Sequence, residues 1–265
     1  MNRLKLWSAL GTGKTTTLLK EIKKESELEG IENSTITTFR RDVADEIKFK
    51  VSVITKTNER ELGNINTIHG ICYNLLQRPK VITGKDLKDF GKKYGYETPS
   101  KIIDPSDPED LTTEDMKTRL NFYSWMKNTC TSLSDYYLYP NLADQKDRHD
   151  FKQFYMEYED FKNEIKKIDF SDMLIECYNQ GLKPYTKALF IDEFQNLTRQ
   201  QYQIVNTWTE SMDNVIIAGD PLQSIYPFWG SSPDHLYAWD AEQLVLPISY
   251  RLSSDIWTAT GDTLR

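Results

Sequence analysis

The chain has 265 residues, 38% hydrophobic and 12% aromatic, which is enough to bury one large core or one core plus a smaller satellite. No apolar run approaches the roughly 20 residues needed to span a bilayer, and Met1 is followed by polar residues rather than a secretory leader, so a cytoplasmic or other intracellular setting is expected. The formal charge of −7 excludes a generally basic nucleic-acid binder. Even so, residues 1–103 carry 19 Lys/Arg against 13 Asp/Glu and the remainder 14 against 27. A polyanion would therefore be held by the first part, because phosphate contacts need local positive charge. The alternative is ordinary solvated surface charge. Cys72, Cys130 and Cys177 lie far apart with no CxxC pair, so buried thiols are expected rather than a zinc site or disulfides.

In chain order, residues 4–9 are apolar enough for a buried strand, followed by a Gly-containing loop and a helix over 15–29. A β-rich stretch at 34–39 precedes a helical pattern over 42–51, and a third strand near 64–68 leads to a helix over 71–77. Residues 84–110 are rich in Gly, Pro and charge. Helical patterns over 116–125 and 151–168 follow, the second with an apolar stripe of Phe151, Phe154, Tyr155, Tyr158, Phe161 and Ile165 that reads as core. Alternation resumes with a helix over 171–178, a strand at 188–191, a helix over 199–208, strands at 215–218 and 243–246, and a helix from Ser253. Short β-branched runs between helices predict an α/β fold, a parallel sheet with helices on both faces. The change of texture predicts a mostly helical inserted subdomain at 79–165, with 1–78 and 166–265 forming the main domain.

The segment SALGTGKT at residues 8–15 fits the P-loop pattern GxxxxGK[ST] except that Ser8 stands at the first glycine. Gly11 and Gly13 would let backbone amides curl around phosphate oxygens, with Ser8, Ala9, Thr12 and Thr16 completing the loop. Lys14 would neutralise the β- and γ-phosphates, and the Thr15 hydroxyl would ligate Mg²⁺. The strand LFIDE at 189–193 ends in two carboxylates; in P-loop folds this strand lies beside the P-loop, which would let Asp192 reach the metal and Glu193 polarise the attacking water. A second strand opens into Asp220 and Gln223, placed to sense the γ-phosphate at the carboxyl edge of the sheet. Tyr226, Phe228 and Trp229 follow, either packed on the insertion or stacking on unpaired bases.

Together these segments resemble the UvrD/Rep type of superfamily 1 DNA helicase. GDPLQSIYPFWG at 219–230 is similar to the family's GDxxQSIYxFRG, and IDEFQ at 191–195 to its DEFQ form of Walker B. TFRRDVADE at 38–46 resembles TFTNKAAxE, NTIH at 66–69 resembles GTxH, DFSDML at 169–174 resembles DFxDLL, and SYR at 249–251 resembles NYR. The resemblance implies a RecA-like P-loop NTPase motor domain using ATP and Mg²⁺. It implies that Glu193, Lys14, Gln223 and Arg251 act in hydrolysis, that Tyr250 stacks on adenine, and that Phe39, Arg40, His69, Tyr226 and Phe228 lie along single-stranded DNA. It further implies 3′ to 5′ translocation by closure against a second RecA-like motor domain in cis or in trans. That domain finds no room after Arg251, so weak hydrolysis and no unwinding are expected of the chain alone.

Several positions depart from the family pattern. Asn196 replaces an aspartate, Trp229 an arginine, and Arg40-Arg41-Asp42 the usual Thr-Asn-Lys; only seven residues precede Ser8, where the family's adenine-reading glutamine belongs. Two other functions compete: a regulatory P-loop module that switches partners without moving on DNA, and a small-molecule kinase, for which no acceptor lid is evident.

Overall fold

A computed structural model describes residues 2–7, 11–97, 115–138 and 145–246. The elements, in order, are β1 (Asn2–Trp7), α1 (Lys14–Glu29), β2 (Ser34–Thr38), α2 (Arg41–Thr55), β3 (Ile65–Thr67), α3 (Ile68–Leu75), α4 (Gly84–Tyr94), α5 (Asp115–Thr129), α6 (Gln145–Ile165), α7 (Phe170–Asn179), β4 (Ala188–Ile191), α8 (Arg199–Thr209), β5 (Asn214–Gly219), α9 (Asp234–Ala238) and β6 (Glu242–Val245). The strands form one parallel sheet in the order β3-β2-β4-β5-β1-β6.

Period-two alternation decides which side chain goes to which face. In β4, Ala188 and Phe190 point to the α1 and α2 side, where they meet Leu18, Ile22, Ile47 and Val51, while Leu189 and Ile191 point to the opposite side. In β5, Ile216 and Ala218 join the first cluster, and Val215 and Ile217 the second with Met173, Leu174, Ile204 and Trp208. With both faces covered, these strands read as continuous apolar runs, as a parallel sheet requires. Lys5, in β1, is nevertheless 1% exposed. Its ammonium donates to the carbonyls of Leu236 and Trp239 at 3.1 and 3.0 Å, replacing lost water at the end of α9.

A further cluster gathers Phe90 of α4, Phe122, Tyr123 and Met126 of α5, and the expected stripe of α6, with Phe151, Phe154, Tyr158 and Phe161 all buried. Beneath it Lys162, 3% exposed, meets Asp169 at 2.9 Å, Asp172 at 2.5 Å, Glu159 at 3.4 Å and the Tyr123 hydroxyl at 2.7 Å. Burial alone would push its ammonium down, but Asp169, Asp172 and Glu159 reverse that and hold it above its ordinary value. Asp169 and Asp172 also form the capping box of α7, so one cation joins α6 to the start of the next helix. Lys162→Met leaves Asp169 without its cation and Glu159 and Asp172 with Lys127 alone, at 2.9 and 3.6 Å, and is expected to cost about 3–5 kcal/mol of stability, read from urea unfolding.

Some expectations need correction. The stretch from Gly84 is not merely polar texture: Gly84–Tyr94 is a helix, started by a Thr83–Asp86 capping box and stopped by Gly95 in the left-handed region. The third helix begins at Ile68 rather than near residue 71, because Thr67 caps it. Helix α9 was not expected at all. The carboxylate strand β4 ends beside the P-loop as expected, Thr15 meeting Asp192, although β5 stands between it and β1 in the sheet. Cys130 is exposed, in a left-handed turn just after α5, whereas Cys72 and Cys177 are buried. The helix expected from Ser253 lies outside the described residues. No helix among the described residues is long and apolar enough to cross a membrane.

Candidate active site

β1 delivers the chain to a turn in which Gly11 (φ 75°) and Gly13 (φ 86°) adopt the left-handed backbone that favours glycine. Helix α1 then starts at Lys14 with no side-chain cap and no acidic residue in its first turn. A helix start of this kind, with its first amides and the positive end of its dipole, suits an anion. The helix runs over β5 and carries Thr15 to the end of β4 despite the intervening strand. There the Thr15 hydroxyl donates to Asp192 Oδ2 at 2.8 Å.

Asp192 is 3% exposed. Burial, reinforced by the neighbouring Glu193 carboxylate, pushes its pKa up to about 6; the Thr15 hydroxyl, the Glu193 amide and Lys14 counteract this only partly. A carboxylate held uncomfortably beside a hydroxyl is suited to a hard divalent cation, whose charge removes the penalty. Among the described residues no group of three or more His, Cys, Asp or Glu is arranged to hold a metal by itself. Thr15 and Asp192 could together offer two oxygen ligands to a hard divalent cation, the rest of whose ligands would have to come from elsewhere.

Glu193 follows in a left-handed conformation (φ 57°) and is half-buried. From the end of β5, Asp220 (1% exposed) lies 3.6 Å from Lys14 Nζ, accepts from the Leu222 amide at 3.1 Å and accepts from the Gln223 side-chain amide. Lys14, Thr15, Asp192, Glu193 and Gln223 line one cleft of about 800 Å³ together with Gly11, Thr12, Gly13 and Thr16, and Leu246 at the end of β6 borders it. Ser8, Ala9, Tyr250 and Arg251 lie outside the described residues.

The residues expected along DNA divide into two places. Phe39 stacks on Tyr226 with ring centroids 5.2 Å apart, Phe228 meets Tyr226 edge-on at 6.2 Å, and Trp229 completes the cluster. Phe39 and Tyr226 are each 8% exposed, buried by one another and by the rest of the cluster, so little of either ring faces solvent. The cluster also touches α5, since Asn128 donates to the Trp229 carbonyl at 3.2 Å, as packing on the insertion would have it. Arg40 is exposed and bound by both carboxylate oxygens of Asp42, at 3.0 and 2.9 Å; Asp42 first and then Tyr226 hold its pKa above the usual value. His69 is elsewhere, edge-on to Phe170 at 6.1 Å, in a cleft of about 510 Å³ shared with Arg41, Lys48 and Tyr73. Gln195, within IDEFQ, has no role legible in the sequence alone, yet its side chain bonds both Glu193 and Asp220.

A six-stranded parallel sheet with a phosphate-type loop after β1, an interior strand, and acidic residues at the ends of two others, defines a P-loop NTPase domain of the RecA-like kind. The UvrD/REP helicase N-terminal domain matches residues 2–242, and the chain belongs to that family. It is 25% identical over 292 residues to the "probable DNA helicase II homolog" of Mycoplasma pneumoniae (98% of this chain, 39% of that protein). It is 22% identical over 295 residues to the ATP-dependent DNA helicase PcrA of Staphylococcus epidermidis (99% and 38%), and 26% identical over 281 residues to DNA helicase II of Haemophilus influenzae (96% and 37%). The chain thus spans about two fifths of the length of the curated relatives it matches.

Proposed function

We propose that this chain is the ATP-binding and hydrolysing motor domain of a 3′ to 5′ DNA helicase or translocase acting on single-stranded DNA. The observation that carries the reading is the convergence of Lys14, Thr15, Asp192, Glu193 and Gln223, drawn from three separate parts of the chain, on one cleft. In this reading the amides after Gly11 and the Lys14 ammonium bind the phosphates, and Thr15 and Asp192 would hold Mg²⁺, which would neutralise charge on the phosphates. Glu193 orients and deprotonates the attacking water, while Gln223 senses the γ-phosphate. Tyr250 is assigned to the adenine and Arg251 to the γ-phosphate. A second RecA-like domain, in cis or in trans, would supply further charge; its support is the greater length of the relatives. Without it hydrolysis is slow and strands are not separated. Residues 79–165 are assigned to a helical subdomain, supported by the hydrophobic cluster of α4, α5 and α6.

Phe39, Arg40, His69, Tyr226 and Phe228 are assigned to the DNA path. The mutual burial of Phe39 and Tyr226 favours a second reading, a nucleotide-dependent switch that does not move on DNA. Lys14→Ala is expected to weaken binding of a fluorescent MgATP analogue by about 10- to 100-fold, as loss of a charged hydrogen bond does. Unchanged affinity would remove the assigned pocket. Titration with single-stranded DNA at low salt separates the two readings: nucleotide binding without DNA binding favours the switch.

A further inference from the structure

Gln195 sits on the turn directly after Glu193 and is 0% exposed, a full polar amide enclosed in the protein. Both ends of that amide are committed. Its Oε1 accepts from the Asp220 main-chain N–H at 3.0 Å, and its Nε2 donates to Glu193 Oε2 at 2.5 Å. The orientation is forced by the partners, since a backbone N–H can only donate and a carboxylate oxygen only accept. The Gln195 carbonyl also accepts from the Ser224 hydroxyl at 3.4 Å, next to Gln223. The close approach depends on Gly219, where an added Cβ would stand 3.0 Å from Gln195 Oε1.

Glu193 needs such a hold. Its left-handed backbone is one that non-glycine residues adopt at a cost of about 1–3 kcal/mol, and it persists only where the surroundings impose it. From Glu193 the contacts run through Gln195 to Asp220, and from Asp220 to Gln223 and Lys14. The end of β4 and the loop after β5 are not consecutive in the chain; this buried amide is a polar bridge between them.

We propose that Gln195 is a positioning residue for hydrolysis: its amide locks the Glu193 carboxylate to the loop that bears Gln223, so that base and γ-phosphate sensor move as one unit. The inference rests on the ATPase reading above. Gln195 touches neither nucleotide nor water in it and acts only through Glu193 and Asp220. A residue that merely supported the fold would lower binding and turnover together; a positioning residue lowers turnover alone.

The test uses the 265-residue chain with single-stranded DNA present, and two variants. Gln195→Met removes both hydrogen bonds, and Gln195→Glu keeps an acceptor for the Asp220 amide but lacks the donor to Glu193. Binding of a fluorescent MgATP analogue and single-turnover hydrolysis of saturating MgATP are measured for each, with thermal melts to show that they fold. The expected result is affinity within about threefold of wild type and hydrolysis slower by about 100-fold, the size of effect that slight misplacement of a reacting group produces. Hydrolysis within threefold of wild type in the variants that fold overturns the proposal. So does a parallel fall of affinity and rate, or loss of the fold in both variants, each of which marks a structural role. Absence of nucleotide binding by the unsubstituted chain overturns the ATPase reading itself and this inference with it, and is seen before any variant is made.

Discussion

Glu193→Gln is expected to keep MgATP binding near its wild-type strength while hydrolysis falls by about 100- to 10,000-fold, the range assigned to a positioned general base. The substitution preserves volume and leaves Lys14, Thr15 and Asp192 in place. It removes the carboxylate assigned as base; of the other described carboxylates lining the cleft, Asp192 is turned to the Thr15 hydroxyl and Glu46 is paired with Lys50. It also removes a negative charge beside Asp192, so binding is expected to hold or improve. Single-turnover hydrolysis alongside equilibrium binding measures both. A variant that hydrolyses at the wild-type rate would transfer the role of base to another group.

Asp192→Asn is expected to act in opposite directions on stability and on binding. An unfolded aspartate titrates near 3.9, whereas in the folded protein burial and Glu193 raise Asp192 to about 6. Between these values the folded state carries the extra proton, so metal-free stability declines as pH rises from about 4 to 6 and stays lowered above that. The shift corresponds to at most about 3 kcal/mol, an upper limit because any water entering the cleft relieves it. Asparagine has no proton to lose; its Oδ1 can still accept from the Glu193 amide, while its Nδ2 takes the place of Asp192 Oδ2 and donates to the Thr15 hydroxyl oxygen, which turns to accept. In chelator-treated buffer the variant should therefore be the more stable at pH 7, with the advantage vanishing near pH 4. MgATP binding should weaken at the same time, through loss of the anionic metal ligand. Urea unfolding of both proteins from pH 4 to 8 without metal checks the sign; a variant less stable at pH 7 would show that Asp192 is comfortable as an anion.

Much of the candidate site could be read in advance because its chemistry is locally encoded. Glycines 11 and 13 mark left-handed backbone, Lys14 and Thr15 open a helix, and the runs at 188–191 and 214–219 end where their acids begin. What escaped notice follows the same logic in reverse. Helix α4 carries a capping box and a stop glycine, but its Lys-rich composition hides an apolar face of only Leu87, Phe90 and Gly91. Gln195 looked like an ordinary member of its motif, since nothing near it in sequence tells that Asp220 is its partner. The expected DNA residues fell into two places, an aromatic cluster after β2 and β5 and the His69 cleft after the neighbouring strand β3, which Arg41 also lines.

Composition, periodicity and glycine placement determined that this chain forms a doubly covered parallel sheet with a phosphate-type turn, since those preferences belong to a few adjacent residues each. Packing decided the rest: that β5 separates β4 from β1, that Thr15 reaches Asp192 from 177 residues away, and that Phe39 closes on Tyr226. Such pairings depend on which of several apolar faces fit together across the whole domain, a sum of many weak contacts that no short segment contains.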